Sequence, residues 1–119
     1  MIFFERRRWA VRIIEKMGLR VESIQSSLLI ELAIWASTEA EATSLAAVRR
    51  KLPKRETVLI AGVGMAGNQT AVKWIAHALQ LPAHEAENLL EGFRTAAIEL
   101  AKEEGLTQIA EMGMRLRMQ

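Results

Sequence analysis

Apolar residues recur at helical spacing along most of this chain, and they predict a mainly α fold. Phe3, Ala10, Ile13, Ile14 and Met17 share one face of a first helix, about residues 3–17, with Gly18 as its stop. Arg6, Arg7, Arg8 and Arg12 then fall on its wet side. A second helix, about 22–37, carries Ile24, Leu28, Leu32 and Trp35 as one stripe. Leu29, Ile30, Ala33, Ile34 and Ala36 make it apolar nearly all round, the mark of a central helix or of one buried by an oligomer. Thr38-Glu-Ala-Glu41 has the spacing of a capping box, which predicts a third helix over 39–51 with Ala42, Leu45, Val48 and Leu52 inward and Pro53 as its end. Val72, Ile75, Ala76 and Leu79 predict a fourth over 70–79. Pro82 suits the start of a fifth, 83–104, which turns Ala86, Leu89, Leu90, Phe93, Ala97 and Leu100 inward and Glu85, Glu87, Glu91, Arg94 and Lys102 outward.

Two stretches break this pattern. The run Val58–Ala61 reads as a short buried strand; the tail reads two ways, since Thr107 could cap a short helix, yet Met112, Met114, Leu116 and Met118 alternate with Gly113, Arg115 and Arg117 as a strand would, and such a strand could pair with Val58–Ala61. Between the first of these and the fourth helix lies Gly62-Val-Gly-Met-Ala-Gly67, followed by Asn68. If Val58–Ala61 is a strand, Gly62, Gly64, Gly67 and Asn68 form a G-x-G-x-x-G turn into a helix, where bare backbone and a helix N-terminus can hold a phosphate. A nucleotide fold also needs a second parallel strand, and the chain runs on instead through Leu81-Pro82 into another helix. The alternative is that the glycines let helices pack closely or make a tight turn. The expectation is therefore one domain, residues 1–119: a compact bundle of about five helices built from helix–turn–helix hairpins, with one or two short strands near 57–61 and 112–118. Ile13, Met17, Leu19 and Leu28 match Ile75, Leu79, Leu81 and Leu90 at one offset, which suggests a duplicated hairpin.

Composition narrows the chemistry more than it names it. The chain lacks Asp, Tyr and Cys, so all its acid is Glu and no thiolate can bind metal, attack a substrate or form a disulfide. No G-x-S-x-G or H-E-x-x-H spacing occurs, and the two histidines, His77 and His84, fall on different helices. No catalytic residue, metal site or cofactor is assigned, and the balance leans away from an enzyme. Half of the residues are hydrophobic, and mean hydropathy is slightly positive at +0.08. That is more apolar material than a small monomer comfortably hides, so a homo-oligomer, most simply a dimer, or another protein partner is expected. Leu29, Ile30, Ile34 and Trp35 are the candidate interface. The longest apolar stretch, Leu28–Ala36, contains Glu31 and is too short to span a membrane; the N-terminus lacks a cleavage site, and a cytoplasmic location is expected.

Charge is uneven along the chain. Residues 1–57 hold 11 Lys and Arg against 7 Glu, and residues 58–119 hold 5 against 7. Arg49, Arg50, Lys51, Lys54 and Arg55 lie within seven residues, and Arg6, Arg7 and Arg8 precede Trp9 with Arg12 one turn on. Such clusters can hold phosphates beside a stacking ring, which makes nucleic-acid binding an alternative function; they can also be solvated helix ends. Residues 68–117 resemble the helical start of the HU and IHF family through Thr70, Leu81, Pro82, Ala83, Ala86, Glu87, Phe93, Glu99, Gln108 and Gly113. The basic β-arm of that family has no counterpart here, so its minor-groove mechanism is not implied. The expected function is a non-catalytic assembly or adaptor module that self-associates and binds a macromolecular partner. Nucleic-acid binding is the first alternative, and phosphate or nucleotide binding at 62–68 the second.

Overall fold

The computed structural model describes residues 2–43 and 52–118, and within them the fold is all helical. The helices are α1 (Ile2–Lys16), α2 (Ile24–Thr43), α3 (Lys54–Gly64), α4 (Gln69–Leu79), α5 (Ala83–Glu103) and α6 (Thr107–Arg117), with a 3-10 turn, Met65–Gly67, between α3 and α4. The Cα radius of gyration is 13.2 Å. That is close to the roughly 13.5 Å of a compact chain of this length. No described helix is long and apolar enough to cross a membrane.

The centre of the bundle is α3, which touches α1, α2, α5 and α6. Thr57, Val58, Leu59, Ala61, Gly62 and Val63 are buried, so α3 shows an inward residue at nearly every angle. This corrects the strand expected near 57–61. A short helix enclosed on all sides is an unbroken apolar run, which periodicity cannot tell from a buried strand. The second strand, near 112–118, is also a helix. Within α6 the buried residues are Ile109, Ala110 and Gly113, at helical spacing, and the two-residue alternation of the methionines does not decide which side faces the core.

Gly62 and Gly113 explain why α3, α5 and α6 approach so closely. A Cβ on Gly62 would stand 3.0 Å from the Ala97 Cβ and 3.2 Å from the Phe93 ring; one on Gly113 would stand 2.6 Å from Ile98 Cγ1 and 3.0 Å from Val63 Cγ1. Ordinary carbon contacts lie near 3.5–4.0 Å, so neither site accommodates a side chain without movement.

Helix α2 buries Ser26, Leu29, Ile30, Leu32, Ala33 and Ser37 and leaves Ile24, Glu31 and Trp35 outside. It runs through the expected start of a third helix. The Thr38 hydroxyl does not cap: it donates to the Ile34 carbonyl one turn back, at 2.8 Å, and Ala42 is exposed. Leu45, Val48 and the rest of that third helix to residue 51 lie outside the described residues, as does the Phe3 side chain. Pro53 precedes α3 with φ −56° and ψ 149°, an extended residue at a helix entrance.

Three helices end alike. Gly18, Gln80 and Gly105 all adopt positive φ, at 77°, 53° and 74°. The next residue is leucine each time, and its N–H reaches back five residues: Leu19 to Ile14, Leu81 to Ala76 and Leu106 to Ala101. This is the Schellman closure, which uses carbonyls left over at a helix end and seats an apolar side chain against the last turn. The first two closures stand 62 residues apart, the offset of the apolar matches noted above.

Candidate functional site: a tryptophan-walled cleft beside a closed ion-pair network

Trp35 on α2 and Trp74 on α4 are brought together from opposite ends of a gap of 39 residues. Asn68 fixes the start of α4 by accepting the Ala71 N–H at its side-chain oxygen, 3.1 Å away. From that start, Ala71, Val72 and Ile75 turn inward while Thr70, Lys73, Trp74 and His77 form the outer stripe. Trp35 is 43% and Trp74 40% exposed, although their helix neighbours Leu32 and Ile75 are buried. Glu31, Leu32, Trp35, Thr70 and Trp74 line a cleft of about 410 Å³ between the two helices. On its other side Trp35 walls a second cleft of about 320 Å³, which runs over Ile60 and Gly64 of α3 to Asn68. The two indoles and the aliphatic residues between them form an open apolar surface, and the exposed charges that line the two clefts are Glu31 and Glu39.

The expected interface is reduced by this arrangement. Leu29 and Ile30 are inside the fold, packed in its core, and Ile34 is half-buried against it. Of those four residues only Trp35 stands well out from the surface. The other contributors, Trp74 and Ile24, lie on the outer stripes of α4 and α2, which a helical wheel alone does not distinguish from the rim of a core.

The basic cluster at the front of the chain is largely engaged inside the molecule. Arg6, expected on the wet side of α1, is 3% exposed. Its guanidinium donates to Ser37 Oγ at 2.6 Å and to Glu41, and Thr57 Oγ1 stands 3.4 Å from it. Ser37 in turn donates to Thr57 Oγ1 at 2.9 Å, and Lys54 pairs with the second oxygen of Glu41. Lys54 and Arg6 together hold the Glu41 carboxyl below its ordinary pKa, mainly through their hydrogen bonds. One polar atom there, Arg6 Nε, is buried without a partner.

A second node lies close by. Arg12 and Arg55 flank Trp9, with their guanidinium carbons 4.5 and 5.7 Å from the ring, and both pair with Glu104 at the end of α5, at 3.4 and 3.3 Å. Trp9 is itself buried, at 7% exposure, with two cations near its ring, and is closed to a stacking base. Of the cations considered for nucleic acid, Arg6, Arg12, Lys54 and Arg55 are ion-paired, Arg7 and Arg8 are exposed, and Arg49, Arg50 and Lys51 lie outside the described residues.

The glycine-rich segment is a junction between helices. Gly62 and Gly64 belong to α3, Gly67 ends the 3-10 turn, and no strand precedes them. The carbonyl of Val63 accepts a hydrogen bond of 2.8 Å from Nε of Arg94, whose guanidinium also pairs with Glu91. Arg94, expected outward on α5, is thus buried and closes the C-terminal end of α3. Nothing in its spacing marked it, because a long cationic side chain at the edge of an apolar stripe is ordinarily solvated. His77 and His84 are exposed on separate helices, and no group of three metal-ligating side chains occurs among the described residues.

The chain matches no protein-family model, no curated protein and no solved structure, so these comparisons add no support to the resemblance to HU and IHF.

Proposed function

We propose that this chain is a non-catalytic helical assembly module that associates with protein surfaces, its own included, through the face bearing Trp35 and Trp74. The single observation that supports this most is the pair of half-exposed indoles on either side of an apolar cleft; Ile24, Phe4 and Met118 are the other large apolar side chains exposed among the described residues. Rigid aromatic surface is the usual anchor of protein interfaces, because it removes much apolar area from water at little cost in side-chain freedom.

Four indoles in a dimer, each removing roughly 100 Å² from water, give about 10 kcal/mol gross at 25 cal/mol per Å². Association costs on the order of 4–15 kcal/mol, so the indoles alone leave at most about 6 kcal/mol, a Kd of tens of micromolar or weaker. Nucleic-acid binding has less to stand on, since four of its nine candidate cations are consumed by internal ion pairs. Phosphate binding at 62–68 lacks the strand that such a turn needs.

Thermal melts across a range of protein concentration test the proposal. A self-associating fold melts higher as concentration rises. The Trp35→Ala/Trp74→Ala variant should keep its helical circular dichroism and lose that dependence. A wild-type melting temperature indifferent to concentration would remove self-association from the proposal.

A further inference from the structure

Resting on that reading, we infer that the side chain filling the cleft of Trp35 and Trp74 is an arginine of a partner protein, its guanidinium against an indole and paired with Glu31. The cleft is lined by two half-exposed indoles, a buried leucine, the Thr70 hydroxyl and one carboxylate. The adjoining cleft beyond Trp35 adds a second carboxylate, Glu39, and no described lysine or arginine lines either one. Lys73, next to Trp74 along the chain, is exposed but lines neither cleft. A chain of net charge +2 therefore lines its aromatic clefts with carboxylates as the only described charges. That sign draws a cationic group and turns away an anionic one.

Elsewhere in the same molecule, an indole and a carboxylate already hold guanidinium groups. Arg12 stands 4.5 Å over the Trp9 ring and pairs with Glu104 at 3.4 Å; Arg55, 5.7 Å from that ring, pairs with the same carboxylate at 3.3 Å. Glu31 and Trp35 present the same two groups one turn apart on α2, a spacing that makes their side chains neighbours. The cleft beside them, about 410 Å³, falls within the roughly 300–1,000 Å³ of clefts that hold ligands. Arginine suits it better than lysine. Its flat, weakly hydrated cation stacks on an aromatic ring and forks onto a carboxylate, whereas a compact ammonium holds its water. A purely apolar anchor would strip water from Glu31 and return no hydrogen bond.

Capped glycine–arginine–glycine peptide is the probe, compared with peptides carrying citrulline, lysine, trimethyl-lysine or norleucine at the centre. The readout is the indole N–H signals of the three tryptophans in proton–nitrogen correlation spectra, assigned by single Trp→Phe variants. Titrations reach about 10 mM peptide, since one side chain in an open cleft binds weakly, at a protein concentration where sedimentation finds the monomer. The arginine peptide should shift Trp35 and Trp74 and leave the buried Trp9 unmoved. Citrulline, similar in shape but uncharged, should bind at least about tenfold more weakly. Glu31→Gln, a change at an exposed residue, should weaken the arginine peptide without disturbing the fold, and added salt should do the same. Equal binding of arginine and citrulline, tighter binding of any other peptide, or an arginine affinity indifferent to Glu31→Gln would overturn the inference. If neither indole responds while the wild type self-associates through Trp35 and Trp74, the arginine assignment fails and the association reading stands. If neither peptide binding nor association is seen, both fail.

Discussion

Replacing Gly113 by alanine asks whether α6 really lies as close to α5 and α3 as the backbone places it. The added Cβ would meet Ile98 Cγ1 at 2.6 Å, Ile98 Cδ1 at 3.0 Å and Val63 Cγ1 at 3.0 Å. Ile98 and Val63 are both buried and have nowhere to swing. Overpacking of this kind costs about 1–3 kcal/mol, more where the backbone must shift. Against it stands the helix preference for alanine, up to about 1 kcal/mol. The net expectation is a loss of about 1–2 kcal/mol. For a chain of this size the unfolding entropy is roughly 250 cal/mol/K, so the melting temperature should fall by about 4–8 °C.

The same substitution at Gly64 should do the opposite. Its φ is −97° and a Cβ there meets nothing within 4 Å, so only the helix preference acts and the protein gains a few tenths to about 1 kcal/mol. Gly92→Ala is intermediate, because its neighbour at 3.3 Å is the flexible end of Met17. Calorimetric melts of the three variants at one concentration provide the comparison. Equal effects at Gly113 and Gly64, or stabilisation at Gly113, would show that α6 does not dock as described.

Two further substitutions probe the polar interior and the helix ends. Glu41→Ala leaves the Arg6 guanidinium buried without its countercharge and should cost about 3 kcal/mol. Arg6→Met leaves Ser37 and Thr57 bonded to each other and Glu41 held by Lys54, so its cost should stay below about 1.5 kcal/mol; urea titrations that rank the two in the opposite order would remove Arg6 from the role given to it. Because the Glu41 pKa is lowered in the folded state, its contribution is present above the unfolded-state pKa and disappears as pH falls through the folded value. Wild-type stability should therefore drop on acidification below about pH 4.5, and the drop should be smaller in Glu41→Gln. Gln80→Gly relieves the one non-glycine residue at positive φ among those described, and should raise stability by about 1 kcal/mol; an unchanged or lower melting temperature would argue against that left-handed closure.

Much of the helical layout was legible from the chain because its signals are local. Asn68 before α4, Pro82 before α5 and glycine at positions 18 and 105 act on their own backbone, and these four sites begin or end helices as expected. What failed depended on which elements surround each one. Val58–Ala61 looked like a strand because α3 is enclosed from all sides, and Arg6 and Arg94 looked solvated because their partners lie 35 and 31 residues away. Thr38 offered a cap, yet the core face of α2 continues through Ser37 and the helix did not break there. Trp74 comes to line one cleft with Trp35 only through the α2–α4 packing, and local spacing contains no trace of that arrangement.

Sedimentation equilibrium of the unmodified chain and of Trp35→Ala/Trp74→Ala, from about 1 to 100 micromolar, is the most direct examination of the assembly proposal. The wild type should move from monomer toward dimer across that range while the double variant, equally helical, stays monomeric. A wild type that remains a 13.3 kDa monomer throughout, or a double variant that dimerises just as well, would mean that the tryptophan face does not serve for association.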